Sequence, residues 1–412
     1  MPTSPARSVP VSVLLVAIGG YGYYYLQALL EQVAHGRARL AGVVDPEARQ
    51  SRAWPTVEQL GVPVYDSVEA FYLAGHRADL AVIVSPPQHH VTQCCTALEN
   101  GSHVLCDKPL GATIQEARDL IAARDRSGRF VLVGYQWSFS AAIHALKRDI
   151  LAGLFGRPIR FSTICCWPRD AAYYRRNSWA GRLRDAASGR WVLDSPANNA
   201  MAHFLHNLLY LGGDEADRSA VPRDVQAELY RAYPIESCDT VASRIRTTSG
   251  VEILFYASHV TEAQIDPEFR LEFEDATVTF GGPTPSIVAI DAAGHRTDYG
   301  SPEATPQFQK LADAIDAAGG AALARCGPEA ASCQTLAVNG LHESVPDARW
   351  FPKMMVSEDD PAGRRYVPTL DDTLRHCYRR AALPSESGVG WAVAGPRVEL
   401  GHYTRFPMKE VS

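Results

Sequence analysis

The stretch Val11 to Leu30, VSVLLVAIGGYGYYYLQALL, is compatible with few folds. Val11 to Val16 is a β-rich apolar run, Ala17, Gly19, Gly20, Tyr21 and Gly22 form a turn with almost no side chain on its inner edge, and helix formers follow from Tyr23 to Leu30. A helix opening near Gly22 leaves its first backbone N–H groups unpaired and aims the positive end of its dipole at the turn, which makes a seat for a pyrophosphate. A side chain at Gly19 would block that approach, and one at Gly22 would hold the helix off its strand. The spacing Ala17-x-Gly19-x-x-Gly22 departs from the dinucleotide fingerprint by one methyl, and Ala17 is therefore expected to keep φ below zero. Taken alone, the pattern fits any glycine-rich β–α turn.

A second feature supplies the context. Leu40 to Val44 is an apolar run ending in Asp45, about 20 residues past the turn, where an acid accepts hydrogen bonds from both ribose hydroxyls of a dinucleotide. Asp45 would repel a 2′-phosphate and has Pro46 and Glu47 beside it rather than an arginine, so NAD is expected in preference to NADP. The plain alternative is a strand that ends beside a proline.

With 412 residues and 46% apolar content, the chain can fill two cores. A net charge of −6 without a basic stripe argues against nucleic acid or an anionic membrane as partner. Nine cysteines without a CxxC pair read as reduced thiols in a cytoplasmic protein. The apolar start is interrupted by glycine and runs into a helix carrying Gln27, Glu31 and Gln32, unlike a secretory signal, and no other run reaches membrane-spanning length without charge.

Strand and helix patterns alternate through Val62–Tyr65, Val68–Leu73, Leu80–Val84, Val91–Glu99, His103–Cys106, Glu116–Arg126 and Phe130–Val133. Repeated βα units imply a parallel sheet whose strand ends gather Gly19, Asp45, Ser85, Lys108 and Gly134 on one edge. Beyond a boundary near residue 137, Ile143, Leu146, Ile150 and Leu151 recur at helical spacing. Six strand candidates follow, Ile159–Cys165, Gln226–Tyr233, Thr240–Arg246, Glu252–Ala257, Phe269–Phe273 and Thr277–Phe280, joined mostly by turns, which predicts a largely antiparallel sheet. Helices are expected at Thr305–Ala318 and Ala330–Leu341. The stretch 343–412 has only short patterned pieces such as Leu370–Arg379. The expectation is a Rossmann dinucleotide-binding domain over 1–137, then an α+β domain over 138–412 with a large, mostly antiparallel open sheet and a C-terminal extension.

Lys108, at a strand end between Asp107 and Pro109, can hydrogen-bond a substrate hydroxyl and stabilise the alkoxide that develops as hydride leaves the carbon. A solvated lysine before a turn is the alternative. In Asn199 to Asn207, a helix would place Asn199 and His203 on one face with His206 a turn further on, and a neutral His203 can take a carbinol proton. Those histidines also suit a helix core. A zinc site drawn from His203, His206 and Asp194 or His90 lacks both the HExxH spacing and a cysteine set, so no metal is expected. Trp167, Arg169, Tyr174, Arg176, Asn177 and Trp179 offer an aromatic platform with arginine and amide donors for a polyhydroxylated ring, or a loop packed by its own aromatics.

The glycine turn, Asp45, the Ser85–Pro86 to His90 stretch, Asp107-Lys108-Pro109 and the Asn199 to His206 segment together resemble the Gfo/Idh/MocA oxidoreductases, over roughly residues 10 to 290. The resemblance implies NAD, a second domain whose open sheet makes dimer or tetramer contacts, and oxidation or reduction of a hydroxyl or keto carbon on a sugar, inositol or related polyol. It implies cofactor contacts at Ala17, Gly19, Gly20, Tyr21, Gly22, Asp45, Ser85, Pro86, His90, Asp107, Lys108 and Gln136. It makes Lys108 the active-site lysine, with Asp107 where glutamate is commoner, and His203 the catalytic histidine. Ala17, Asn199 and His206 depart from the pattern, standing for a glycine and two aspartates; Asn199 cannot accept a proton but can orient a hydroxyl or Lys108. The rivals are transient use of tightly held NAD in epimerisation or glycoside cleavage, and a noncatalytic sugar- or NAD-binding protein.

Overall fold

The computed structural model describes residues 9–282, 284–321, 326–359 and 363–408. The chain divides into two compact units. One holds the residues up to Gly111 with 116–139 and 306–328, and the other holds 112–115, 140–305 and the residues from Glu329 onward.

The first unit is built in the order β1 (Val11–Val16), α1 (Gly22–Ala34), β2 (Ala38–Val44), α2 (Trp54–Leu60), β3 (Val64–Tyr65), α3 (Val68–Leu73), β4 (Leu80–Ile83), α4 (His90–Glu99), β5 (His103–Cys106), α5 (Ile114–Ser127) and β6 (Val131–Val133). Six strands pair in parallel in the order β3-β2-β1-β4-β5-β6, which places the reversal of strand order beside β1. Every residue of β1 and β4 is buried, as a parallel sheet covered on both faces requires. Helix α2 escapes the periodicity reading because Val57 is its one buried residue.

One expectation fails at the turn. Ala17 has φ of +69° rather than a negative value. Its N–H donates to the Val44 carbonyl at 2.7 Å, and the Gly22 N–H donates to the Gly19 carbonyl at 2.9 Å, so the turn must reverse within a few residues and the left-handed conformation stays with alanine. That conformation costs a residue with a Cβ about 1–2 kcal/mol.

The second unit opens with α6 (Ala141–Leu151), β7 (Pro158–Cys166), α7 (Ala171–Arg175) and α8 (Ala202–Gly212). It continues through β8 (Pro222–Arg231), β9 (Thr240–Thr247), β10 (Glu252–Ser258), β11 (Ile265–Phe273), β12 (Ala276–Gly281), β13 (Thr284–Asp291) and β14 (Arg296–Gly300). Then α9 (Gln309–Ala318) returns to the first unit, so a second domain running unbroken from 138 does not describe this chain. The remaining elements are α10 (Pro328–Ser344), β15 (Arg349–Trp350), β16 (Ser357–Asp359), β17 (Arg364–Tyr366), α11 (Leu370–Arg380) and β18 (Val398–Glu399).

The large sheet runs β14-β13-β12-β11-β7-β10-β9-β8-β15, with β18 also on β8; β16 pairs with β17 apart from it. Its pairs are antiparallel except β7 with β10 and β8 with β15. On one face Ile164, Tyr230, Ala242, Leu254 and Tyr256 pack with Leu370, Leu374, Cys377 and Leu383, so the C-terminal segment, which the sequence patterns leave unplaced, covers the central strands. Polar ties fix it there: Arg375 grips both oxygens of Glu268 at 3.0 Å, and Tyr256 Oη donates to the Ala382 carbonyl at 2.9 Å. Elsewhere, buried Lys147 donates Nζ to the carbonyls of Tyr210, Gly213 and Arg218, closing the C-terminal end of α8, and burial pulls its pKa to about 7. Among the described residues, no helix is long and apolar enough to cross a membrane.

Candidate active site

In the first unit, a Cβ on Gly22 would sit 2.2 Å from the Ala17 carbonyl oxygen, so this glycine is required by the fold. A Cβ on Gly19 would meet no chain atom within 4 Å, so there the chain itself imposes no such demand. The backbone N–H groups of Gly20 and Tyr21 find no acceptor among the described residues, and α1 carries no acid in its first turn. Asp45 Oδ2 accepts the Ile18 N–H and Oδ1 the Glu47 N–H, both at 2.9 Å, which steadies the carboxylate and leaves it lone pairs for ribose hydroxyls. The open cradle, the unengaged donors and the oriented acid fit a bound dinucleotide.

Across the sheet edge, Ser85 follows β4 and Lys108 follows β5. Asp107 is buried beneath Lys108, with Oδ1 accepting Tyr25 Oη at 2.8 Å and Lys310 Nζ at 2.9 Å. Burial pushes the Asp107 carboxyl up, but the Lys310 and Lys108 ammonium groups and the hydrogen bonds from Lys310 and Tyr25 outweigh it and hold the pKa below the ordinary value. Lys108 is half-buried, and its bond to Pro109 is cis. His90 is buried with Nδ1 2.8 Å from the Pro109 carbonyl and Nε2 2.7 Å from that of Ser85, so it ties the two strand-end loops together. Ser85 Oγ donates to Gln93, Pro86 is exposed, and Gln136 is half-buried just past β6.

Lys310, Tyr25 and Phe308 are absent from the sequence-derived site. Tyr21 and Tyr25 pack on Phe308, with ring centroids 5.9 and 5.0 Å away, behind the glycine turn. The only sequence signal for Lys310 is its place among Leu311, Ala314 and Ile315 on the buried face of α9.

In the second unit, α8 begins at Ala202, so Asn199 lies in the turn before the helix rather than on the face of His203. The Ser195 carbonyl accepts the Asn199 N–H and starts that turn early. Asn199 Nδ2 donates to Asp194 Oδ1 at 2.8 Å, and Asp194 Oδ2 accepts the Gly181 N–H at 2.6 Å, so a buried acid that figured only as a metal ligand orients Asn199. His203 is half-buried in the first turn of α8. His206 is buried, and burial, with Lys147 adding to it, lowers its pKa to about 3; it is a neutral core residue at ordinary pH.

Trp167 lies edge-on to Phe204, beside His203, with ring centroids 5.6 Å apart, and donates Nε1 to Asp266 at 3.2 Å. The Arg176 guanidinium stacks 3.7 Å from the Tyr173 ring, and 5.2 Å from that of Trp179, which is half-buried. Asn177 Oδ1 accepts the N–H groups of Trp179 and Ala180 and so shapes the loop itself. Tyr174 packs on Tyr233 at 4.8 Å.

The glycine cradle, the oriented acid and the strand-end lysine define a two-unit α/β protein whose first unit is a dinucleotide-binding Rossmann domain. Residues 11–135 match the family described as "Oxidoreductase family, NAD-binding Rossmann fold". That stretch is similar to the NAD-binding domain of the Gfo/Idh/MocA oxidoreductases, and NAD is the cofactor it fits. It is 28% identical over 214 residues to inositol 2-dehydrogenase of Rubrobacter xylanophilus, covering 50% of this chain and 59% of that protein. It is also 28% identical over 151 residues to scyllo-inositol 2-dehydrogenase (NAD(+)) of Bacillus subtilis, 37% of this chain and 43% of that one. The matches thus span about half the length of these relatives. The fold is similar to the WlbA dehydrogenase from Bordetella pertussis, solved with NADH and UDP-GlcNAcA, with a TM-score of 0.67 at 19% identity over 82% of this chain and 97% of that one.

Proposed function

We propose that this chain is an NAD-dependent oxidoreductase that moves a hydride between nicotinamide and a hydroxyl or keto carbon of a sugar, inositol or related polyol. The observation that carries this reading is the placement of Lys108 at the end of β5, on the same sheet edge as the glycine cradle after β1 and Asp45 after β2. NAD, when bound, supplies the two-electron acceptor or donor. Lys108 donates a hydrogen bond to the reacting oxygen and stabilises negative charge on it. His203 takes the hydroxyl proton in oxidation and returns it in reduction, while Asn199, held by Asp194, orients the substrate.

The test is purified protein with NAD and a panel of polyols, monitored by the absorbance of reduced cofactor. Turnover that falls at least a hundredfold in both Lys108→Met and His203→Ala supports the assignment. Substrate conversion without net cofactor reduction would favour the internally recycled alternative, and NAD binding without turnover of any polyol would favour a binding protein.

The same reading includes a homodimer or homotetramer. Its contacts fall on the outer strands that α11 leaves uncovered, where Arg270, Thr279 and Ile290 are exposed on one face. Light scattering on Ile290→Glu, compared with the parent chain, tests it. The nine cysteines are all free thiols, which supports a reducing compartment.

A further inference from the structure

Several arginines in or against the large sheet of the second unit have acids. Arg160 pairs with Glu252, Arg244 with Glu386, Arg375 with Glu268 and Arg397 with Asp224. Arg169 and Arg176 pair with no carboxylate among the described residues, although both lie near Tyr173, at 5.0 and 3.7 Å from its ring. An exposed arginine such as Arg176 without a partner is ordinary. Arg169 is not, because its Nε is buried and has no acceptor among the described residues. A buried donor left unsatisfied costs about 1–3 kcal/mol, and the groups that persist this way in folded proteins call for an explanation.

The backbone holds Arg169 in place. Its N–H donates to the His259 carbonyl at 2.9 Å, and its own carbonyl accepts Tyr233 Oη at 2.8 Å. The neighbouring acids are committed to other donors: Asp170 caps α7 through the Tyr173 N–H at 2.9 Å, Asp194 holds Gly181 and Asn199, and Asp266 holds Trp167 and Gln264. The guanidinium also lies 6.0 Å from the Trp167 ring, which itself packs on Phe204 next to His203. A positive, aromatic-backed fork with a missing acceptor is therefore linked through Trp167 and Phe204 to the helix that carries His203.

We propose that the polyol bound here carries an anionic group, a carboxylate or a phosphate ester, and that Arg169 receives it, with Arg176 adding charge from the rim. This rests on the sugar or polyol reading above and narrows it. A guanidinium presents parallel N–H donors, and Nε with one Nη matches two oxygens of a carboxylate or phosphate at once, which a neutral hydroxyl cannot do. The Tyr173 ring, 5.0 Å from the guanidinium carbon, attracts the cation and helps hold it in place before the ligand arrives.

Calorimetry on the full chain with saturating NAD tests the proposal, using D-glucuronate, D-glucose 6-phosphate and their neutral parent D-glucose. An anionic sugar is expected to bind at least tenfold more tightly than D-glucose, with the winning arm naming the carboxylate or the phosphate as the source. Arg169→Gln and Arg176→Gln, checked for native near-ultraviolet dichroism, should each shrink that ratio, whereas Arg182→Gln, which removes a surface pair with Glu236, should leave it intact. Should Arg169→Gln lose its native dichroism, Arg169→Lys and Arg176→Gln carry the test. Equal affinity for charged and neutral sugars, no binding of either, or a ratio indifferent to both arginines overturns the proposal. Because binding is read without turnover, failure of hydride transfer is seen separately, and turnover of neutral polyols without anion preference sinks this inference alone.

Discussion

Lys310 Nζ lies 2.9 Å from Asp107 Oδ1, a buried ion pair that joins α9 to the end of β5. Removing one partner of such a pair strands the other charge in a poorly solvated site. Lys310→Met should therefore destabilise the protein by about 3–5 kcal/mol in urea denaturation, and adding Asp107→Leu should recover most of that loss. An unchanged midpoint in the single variant would mean that Tyr25 alone satisfies the carboxylate.

The glycine turn separates fold from ligand. Gly22→Ala should cost about 3 kcal/mol or more, because its Cβ meets backbone at 2.2 Å. Gly19→Ala should leave stability within about 0.5 kcal/mol yet weaken NAD binding roughly tenfold, since nothing in the chain occupies that space. Ala17→Gly should stabilise by about 0.5–1 kcal/mol, the relief of the left-handed alanine less the entropy glycine adds to the unfolded chain. Thermal melts paired with cofactor titration check all three.

The first sheet is legible because its signals are local. Val68–Leu73 and His103–Cys106 coincide with α3 and β5 to the residue. The positive φ of Ala17 is not legible, since it follows from where the Val44 carbonyl and Gly22 sit in space. Helix α9 shows its apolar stripe at Leu311, Ala314 and Ile315, but nothing in that stripe says which unit it serves. Asp194 likewise reads as one acid among many until Asn199 is seen to donate to it.

Acid should unfold the protein through its histidines. Burial lowers the pKa of His206 and His259 to about 3 and of His342 to about 4. An unfolded imidazole titrates near 6.5, so below that value the unfolded chain binds protons the native chain refuses, and stability falls as pH drops from about 6.5 toward 4. Each histidine contributes up to about 1.4 kcal/mol per pH unit in that window. Denaturation series from pH 8 to 5 should show the slope, and His342→Leu should flatten it by about one proton.

The C-terminal segment should be an integral part of the second unit. Leu374 is fully buried against the sheet, so Leu374→Ala should cost about 2–5 kcal/mol in chemical denaturation. A smaller loss would show that α11 lies on the sheet without sharing its core.

Because α9 is encoded after strands β7 to β14 of the open sheet, a ribosome must translate those eight strands before the nucleotide domain receives its last helix. Until then Asp107 has no countercharge from Lys310, and Tyr21 and Tyr25 lack Phe308. Synthesis from the N-terminus therefore yields a cofactor domain that waits, incomplete, for its own late-made part, and the time spent waiting is when a nascent chain most needs a chaperone.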